Sequence, residues 1–311
     1  MTLQQGIFHG DVRAIGRGLS ILERTGARAE ELVRALRGHG GRARTVGITG
    51  ATGVGKSTLI QVLGLELLHR GERVAVLAVD PSSPFSGGAL LGDRLRMPDF
   101  VAAGGFVRSM ATRGALGGLA AATADALDLL SAAGFSSILV ETVGVGQDEV
   151  DVAGVVESVV VVTVAGLGDE VQTAKAGILE IADVLVVNKS DLPGTDQQIA
   201  ALEEMLELRP PSPWRLPLVV TCAKRSEGVG ELIEAIEEHQ AFLASGDRRE
   251  ALRRSRAARR LADVLWGLVR ERVCRADESA YARAVEEIVR GTTDPYSAAR
   301  ALLAALEGRS G

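Results

Sequence analysis

The sequence predicts an α/β protein built on a mostly parallel central sheet that is flanked by helices. Short runs rich in Val, Ile and Leu recur along the chain, and stretches of helical periodicity lie between most of them. The runs are nearly continuous rather than alternating, which is typical of strands buried on both faces. Strand–helix alternation of this kind indicates parallel strands joined by crossover helices. The predicted strands are 45–49, 74–80, 135–142, 158–164, 184–189 and 217–223, and the predicted helices are 57–70, 114–133, 170–182, 196–207 and 229–243.

Helical segments extend this α/β region at both ends. The chain has 311 residues, enough for one domain of about 200 residues with additions. We expect an N-terminal helical extension over 1–40, the α/β domain over 41–243 and a basic C-terminal helical arm over 244–311. Each extension carries an apolar helical face suited to packing. These faces comprise Val12, Ile15, Leu19 and Leu22 in the first extension, and Leu261, Val264, Leu265, Leu268 and Val273 in the arm.

Composition excludes several function classes. Asp and Glu number 40 against 35 Lys and Arg, and this net charge of −5 argues against a general nucleic-acid binder. Aromatic residues are only 3%, which leaves few platforms for stacking bases. The two cysteines, Cys222 and Cys274, are too few for a disulfide framework or a Cys-rich zinc site. The longest apolar stretch is shorter than the roughly 20 residues that span a bilayer, and no signal-peptide pattern is present. We therefore expect a cytoplasmic protein that binds neither membrane nor nucleic acid.

A phosphate-binding loop follows the first predicted strand. Gly50 to Ser57 reads GATGVGKS, which fits the pattern G-x-x-x-x-G-K-[ST], and a predicted helix follows it. Glycines let the backbone N–H groups approach phosphates, and the helix N-terminus favours an anion. Lys56 would reach the β- and γ-phosphates, and Ser57 would offer its hydroxyl to Mg²⁺. The motif predicts a P-loop NTPase whose nucleotide contacts are Gly50, Ala51, Thr52, Gly53, Val54, Gly55, Lys56, Ser57 and Thr58.

An N-K-x-D segment after the strand at 184–189 predicts guanine recognition. A carboxylate at Asp191 can accept hydrogen bonds from guanine N1–H and the 2-amino group together, whereas adenine offers no such pair of donors. Lys189 would lay its methylene stem along the base, and Asn188 would tie loops together.

A second loop for the base follows the last predicted strand. Cys222, Ala223 and Lys224 occupy the place of an S-A-K loop whose backbone reads guanine O6. Cys222 stands where Ser is usual, and we expect this difference to matter little if a backbone N–H is the donor.

Acidic residues at strand ends are the candidates for the metal. Asp80 ends the second strand and Glu141 ends the next long one, where a carboxylate usually holds Mg²⁺ directly or through water. The second site reads E-x-x-G, in which the N–H of Gly144 could sense the γ-phosphate and make the following loop a switch. Asp93 lies in a glycine-flanked segment and could approach the metal. The alternative for these carboxylates is a cap or turn role.

Several long strings carry a more specific resemblance, from about Gly10 to Glu238. The sequence resembles the MeaB/ArgK family of metallochaperone P-loop GTPases, which are G-proteins associated with methylmalonyl-CoA mutase. The strings are GDVRAIGRGLS, GATGVGKS, DPSSPFSGGALLGDRLRM, SMATRGALGG, ETVGVGQDEVDV and GDEVQTAKAGILEIADVLVVNKSD.

The resemblance implies a GTPase, slow without its partner, that converts GTP to GDP and phosphate. It would act as a chaperone that gates adenosylcobalamin loading, protection or reactivation of an acyl-CoA mutase, with the cobalamin held by the mutase. It also implies a homodimer to which the C-terminal helices contribute. Carried over by motif, the catalytic candidates are Lys56, Asp80, Asp93, Glu141 and Lys175, and the Mg²⁺ candidates are Ser57, Asp80, Asp93 and Glu141.

Three alternatives stay open at this point. A nickel-insertion GTPase would need soft or imidazole ligands, and the histidines and cysteines here are isolated. An ATP-using kinase is disfavoured by Asp191, and a nucleotide-gated scaffold without useful turnover is separable only by a hydrolysis assay. No motif identifies an arginine finger, although Arg108 and Arg113 are close to the site in sequence.

Overall fold

The computed structural model describes residues 1–24, 26–40, 43–80, 97–111, 118–142, 153–166, 180–276 and 278–307. Their strands form one seven-stranded sheet in which all neighbours are parallel. The strands are β1 Arg44–Thr49, β2 Val74–Asp80, β3 Phe106–Ala111, β4 Ser137–Thr142, β5 Ser158–Thr163, β6 Val184–Val187 and β7 Leu218–Val220. Their order is β3-β2-β4-β1-β5-β6-β7, so β1 lies at the centre.

Helices cover both faces of this sheet, and each face has its own apolar core. The predicted fold class is therefore confirmed, although most of the helix predicted at 170–182 lies outside the described residues. The helices are α1 Leu3–Phe8, α2 Val12–Leu22, α3 Ala27–Leu36, α4 Lys56–His69, α5 Pro98–Ala102, α6 Gly118–Ala132, α7 Thr195–Glu207, α8 Val229–Ala244, α9 Arg248–Ala276, α10 Glu278–Val289 and α11 Pro295–Glu307.

Strand β3 was not predicted from the sequence. Arg108 and Ser109 interrupt its apolar run, and among the described strands it lies at the edge of the sheet beside β2. The guanidinium of Arg108 donates to Ser20 Oγ at 3.0 Å and to Glu23 Oε2 at 3.1 Å, both at the end of α2. These contacts direct Arg108 toward the N-terminal helices, so the structure does not support it as an arginine finger. Arg113 lies outside the described residues.

The N-terminal helices share a core with the sheet. Ile15, Leu19 and Leu22 of α2 are buried, as the periodicity predicts. Gly18 lets α2 approach α6 closely, because a Cβ there would lie 2.7 Å from a methyl of Leu129. The prediction for Val12 is wrong, since its side chain is 56% exposed at the first turn of α2.

The chain divides into two compact units, Met1–Arg256 and Ala257–Gly311. The second unit comprises the rest of α9 together with α10 and α11. Four of the five residues of the apolar stripe predicted for the arm are exposed, among them Leu261 at 68% and Leu265 at 57%, and Val273 is half-buried. Within the described ranges, no helix combines the length and the apolar character needed to cross a membrane.

A buried polar cluster lies at the amino ends of β5 and β6. Ser158 Oγ and His239 Nδ1 are 2.8 Å apart, and His239 Nε2 lies 3.3 Å from Asp183 Oδ1. The other Asp183 oxygen accepts from the N–H of Val159 at 2.8 Å. Burial raises the pKa of Asp183 to about 6 and lowers the pKa of His239 to about 4. Both groups therefore favour their neutral forms between these values.

The pKa shifts of Asp183 and His239 predict two opposite pH dependences of the unfolding free energy, which nearly cancel in the wild-type protein. The raised pKa of Asp183 gives a stabilisation that is present below pH 3.8 and lost as pH rises to about 6. The lowered pKa of His239 gives a stabilisation that is present above pH 6.5 and lost as pH falls to about 4. Each is worth about 3 kcal/mol, so they nearly cancel.

Replacing either Asp183 or His239 should expose the pH dependence of stability that the remaining residue contributes. In His239→Gln, the loss of unfolding free energy relative to wild type should grow by about 3 kcal/mol from pH 4 to pH 6.5. Asp183→Asn is the matched control, and its difference from wild type should change by a similar amount in the opposite direction. Urea denaturation at a series of pH values measures both. Equal pH slopes in all three proteins would contradict the prediction.

Candidate functional site: a phosphate loop joined to a base-recognition segment

The phosphate loop connects β1, at the centre of the sheet, to α4. All three of its glycines have positive φ, at +138° for Gly50, +85° for Gly53 and +95° for Gly55. Gly55 is the N-cap of α4, so Lys56 and Ser57 lie in the first turn, where backbone N–H groups point out of the helix. Because carboxyl ends of parallel strands meet at one edge, this loop lies at the edge where ligands bind in such sheets.

The amine of Lys56 points back into this loop. Lys56 Nζ donates to the carbonyl of Gly50 at 2.6 Å and to that of Ala51 at 3.0 Å. The residue is only 8% exposed, so its ammonium is held inside the curve of the backbone. That is the position from which a positive charge can meet the phosphates of a nucleotide.

The geometry of Gly50 leads to a stability prediction. A Cβ at Gly50 would lie 2.1 Å from the carbonyl oxygen of Val162 in β5, and its φ disfavours L-residues. Gly50→Ala should therefore lower the unfolding free energy by roughly 2–5 kcal/mol, since both backbone strain and overpacking contribute. Gly53→Ala is the matched control, because its Cβ would meet no atom of the described residues within 4 Å, and it should cost only about 1–2 kcal/mol. Equal losses in urea denaturation would show that the contact with β5 is unimportant.

Ser57 and Glu141 meet beside this loop, although they are 84 residues apart. The Ser57 hydroxyl donates to a carboxylate oxygen of Glu141. Strand register explains the encounter, because Glu141 of β4 pairs with Ile48 near the end of β1. A hydroxyl and a carboxylate are hard oxygen ligands, so these two residues fit Mg²⁺, which takes its remaining ligands from phosphates and water.

The structure describes only part of the other predicted metal and switch residues. Asp80 is the last residue of β2, and its backbone pairs with Ala111, while its side chain lies outside the described residues. Asp93, Gly144 and Lys175 also lie outside them. Among the described residues, no group of three or more His, Cys, Asp or Glu side chains is arranged to hold a metal ion.

Asn188 joins three loops at the end of β6. Its amide nitrogen donates to the carbonyl of Val54 in the phosphate loop at 2.9 Å. Its amide oxygen accepts from the Thr221 hydroxyl at 3.0 Å and from the Ala223 N–H at 3.1 Å. The side chain is 1% exposed, and a Cβ at Gly55 would lie 2.6 Å from its nitrogen. The predicted tie between loops is thus visible as hydrogen bonds.

Two features of this network were not predicted. Thr221 contributes its side chain, and its only signal in the sequence is its place after β7, which pairs with β6. The N–H of Ala223, which belongs to the loop whose backbone we expected to read guanine O6, donates to Asn188. Lys224 is exposed beside it, in a short 3₁₀ turn.

Lys189 makes a second link between the two loops. It has a left-handed backbone with φ of +57°, which is uncommon for a residue other than glycine. Its Nζ donates to the carbonyl of Gly53 at 2.7 Å, so the methylene stem crosses from β6 to the phosphate loop. That this stem lies along a guanine base stays a prediction.

Asp191 is exposed at the rim of the same site. The thiol of Cys222 donates to Asp191 Oδ1, with 3.3 Å between sulfur and oxygen. The pKa of Asp191 lies below its usual value, first because of this hydrogen bond, and further because Arg225 and Lys224 carry positive charge nearby. The carboxylate is therefore ionised and ready to accept hydrogen bonds.

The phosphate loop and the N-K-x-D segment are thus bonded to one another at the carboxyl edge of a parallel sheet, and this arrangement is that of a P-loop GTPase. A family model described as methylmalonyl-CoA mutase-associated GTPase MeaB matches residues 15–281. The chain belongs to this family, and it hydrolyses GTP to GDP and phosphate. The resemblance drawn from the sequence is confirmed.

Comparison with individual proteins agrees with this assignment. The chain is 42% identical to a probable GTPase of Mycobacterium tuberculosis over 281 residues, which cover 87% of this chain and 82% of that protein. It is 35% identical to the GTPase ArgK of Escherichia coli over 260 residues, covering 80% and 78% of the two chains. The crystal structure of a LAO/AO transport system kinase matches with a TM-score of 0.70 at 23% identity, covers 98% of this chain and 96% of the other, and so supports the fold.

Proposed function

We propose that this GTPase is a chaperone for an adenosylcobalamin-dependent acyl-CoA mutase. The observation that carries the proposal is the family match over residues 15–281, since the family itself is described as associated with methylmalonyl-CoA mutase. GTP binding and hydrolysis would gate the loading, protection or reactivation of the cofactor. The cobalamin would be held by the mutase, because no segment of this sequence resembles a cobalamin-binding domain.

The protein would bind the nucleotide both at its phosphates and at its base. The loop over 50–58 would hold the phosphates, with Lys56 at the β- and γ-phosphates, and Asp191 would accept from guanine N1–H and the 2-amino group. Ser57 and Glu141 would hold Mg²⁺, joined by Asp80 and Asp93. When bound, the metal would neutralise charge that develops on the phosphate oxygens during hydrolysis.

The partner would act through the segments that contain Gly144 and Lys175. In this proposal the mutase orders these segments around the γ-phosphate and so accelerates a slow intrinsic reaction. Both segments belong to the strings that carry the family resemblance, and they flank the site in sequence. A stabilising group delivered by a partner raises the rate of other GTPases by roughly 10³–10⁵-fold.

We also propose a homodimer that buries the apolar stripe of the arm. Leu261, Leu265 and Leu268 are each more than half exposed, and Trp266 next to them is 72% exposed. Burial of such side chains contributes about 1.5–3 kcal/mol each, so a second copy that covers the stripe would be well stabilised. Sedimentation analysis of wild type and Leu265→Asp tests this, and a monomeric wild type would rule it out.

The test of the chaperone proposal is affinity capture from the native extract. The protein is loaded with GDP or with a non-hydrolysable GTP analogue, and the captured proteins are identified. We expect an acyl-CoA mutase whose recovery depends on the nucleotide, and saturating mutase should raise kcat for GTP hydrolysis. An unchanged kcat would remove the coupling to hydrolysis, and full cofactor loading by a variant that binds but cannot hydrolyse GTP would favour a scaffold.

A further inference from the structure

Two buried threonines are bonded to one another at the strand ends that carry the candidate site. The hydroxyl of Thr142 donates to Thr49 Oγ1 at 3.0 Å, although the two residues are 93 positions apart in the sequence. It also lies 3.5 Å from the carbonyl oxygen of Ile48, so both contacts join it to the end of β1. Thr49 is 2% exposed and Thr142 is 1% exposed. Neither threonine was predicted to contact the nucleotide or the metal.

Each threonine adjoins a different half of the site. Thr49 is the last residue of β1, and the phosphate loop begins with the next residue, Gly50. Thr142 is the last residue of β4 and follows Glu141, whose carboxylate accepts from the hydroxyl of Ser57. The bond between the two threonines therefore links the start of the phosphate loop to the strand end that carries the metal candidate.

The two threonines point to the face of the sheet opposite α4. Ile48 pairs with Glu141 near the ends of β1 and β4. Ile48 belongs to the apolar core on the α4 side, and Glu141 reaches that helix. Because successive side chains of a strand point to opposite faces, Thr49 and Thr142 point to the other core. Their hydroxyl bond lies one step beyond the backbone pair, so it adds a lateral link where the strands end.

The hydroxyls interrupt an apolar row that crosses the sheet. Thr142 pairs with Val79 of β2, and Thr49 pairs with Val161 of β5. Both valines belong to the apolar core on this face. Valine has nearly the shape of threonine, so packing alone does not require a hydroxyl at either position. A buried hydroxyl costs free energy unless it is hydrogen-bonded, and two that bond to one another hold the strand ends in a defined relation.

We propose that Thr49 and Thr142 are positioning residues for GTP hydrolysis, which set the distance between the phosphate loop and the Glu141 carboxylate. The proposal rests on the proposed binding of Mg²⁺ by Ser57 and Glu141. Mg²⁺ demands near-ideal octahedral geometry, so a site that combines nucleotide oxygens with protein oxygens tolerates little change in their spacing. The hydroxyl bond fixes this spacing before a nucleotide is bound.

The test separates this role from stability by removing one hydroxyl and then both. Thr142→Val leaves the Thr49 hydroxyl buried without its partner, so its urea midpoint should fall below that of wild type. The double variant, Thr49→Val with Thr142→Val, should recover most of that stability because no hydroxyl is left unpaired. Isothermal titration with the non-hydrolysable imido analogue of GTP, with and without Mg²⁺, measures how much affinity the metal adds. This gain should fall roughly 3–10-fold in both variants, although stability recovers in the second.

Two further variants act as controls. Thr45→Val removes a hydroxyl from the same face of β1 at its amino end, where Thr45 Oγ1 accepts from the N–H of Glu157 at 2.8 Å, and it should keep the wild-type gain. Thr142→Ser keeps the hydroxyl and should also keep the gain. A wild-type gain in the double variant would overturn the positioning role, as would a loss in Thr142→Ser as large as that in Thr142→Val.

Glu141→Gln separates this inference from the metal assignment on which it rests. The expected result is loss of the Mg²⁺-dependent gain in Glu141→Gln together with a partial loss in the double variant. If Glu141→Gln abolishes the gain and the double variant keeps it, the role of the threonine pair is wrong and the metal assignment stands. If Glu141→Gln also keeps the wild-type gain, both assignments are wrong.

Discussion

Lys56→Ala is expected to lower kcat for GTP hydrolysis by roughly 10²–10³-fold, because it removes a positive charge aimed at the transferring phosphate. The contacts of Lys56 Nζ with the carbonyls of Gly50 and Ala51 place that charge inside the phosphate loop. The side chain is buried there, and few water molecules can replace it. Single-turnover hydrolysis of GTP, measured at saturating enzyme, separates this loss from any change in nucleotide affinity.

The variant Lys56→Arg tests whether the shape of the Lys56 side chain matters as well as its charge. It keeps the charge, but the planar guanidinium cannot occupy the same curve of backbone as a compact ammonium. We expect it to lose nearly as much activity as the alanine variant. The melting temperature of both variants, measured without nucleotide, should stay close to that of wild type, because β1 and α4 are held by the sheet and its cores. Hydrolysis at the wild-type rate by Lys56→Ala would remove this residue from the mechanism.

Asp191→Asn is expected to reduce GTP affinity by at least roughly 10²-fold and to improve binding of xanthosine triphosphate. Two hydrogen bonds from guanine to a charged acceptor are lost, each worth about 1.5–3 kcal/mol. The amide of Asn can donate to the carbonyl that xanthine carries in place of the 2-amino group. Competition binding with GTP, xanthosine triphosphate and ATP measures the change.

Asp196→Asn is the matched control for this exchange. Asp196 is an exposed carboxylate five residues further along the chain, in the first turn of α7. The same chemical change there should leave the order of nucleotide affinities unaltered. If Asp191→Asn and Asp196→Asn behave alike, guanine is read elsewhere in the protein, and the N-K-x-D interpretation fails.

Local patterns explain why much of the fold could be predicted. Nearly continuous apolar runs marked β1, β2, β4 and β5, because strands buried on both faces tolerate few polar residues. Edge strand β3 was not predicted, because Arg108 interrupts its apolar run. The hydrogen-bond partners of Arg108 lie at the end of α2, a distant segment of the chain. Val12 was wrongly predicted to lie on the packing face of α2. Periodicity identifies the apolar face of a helix, but it cannot say which end of that face reaches solvent.

Some features of the candidate site could be predicted from the sequence, and others could not. Gly50, Gly53 and Gly55 were found by spacing alone, because a phosphate loop needs positive φ at fixed positions. The contact between Cys222 and Asp191 could not be found, because it depends on how the ends of β6 and β7 lie side by side. The sequence offered only a departure from the usual Ser, and no local pattern reports a partner 31 residues away.

By itself, the sequence determined the parallel α/β architecture, the phosphate loop and the guanine motif, because each follows from the chemistry of neighbouring residues. Tertiary structure alone decided which distant side chains meet. Strand register brings Glu141 to Ser57, Asn188 links the phosphate loop to the turn after β7, and the buried thiol of Cys222 reaches Asp191. Such contacts depend on backbone positions set by the whole sheet, and the free energy that fixes them comes from packing across the chain rather than from any single motif.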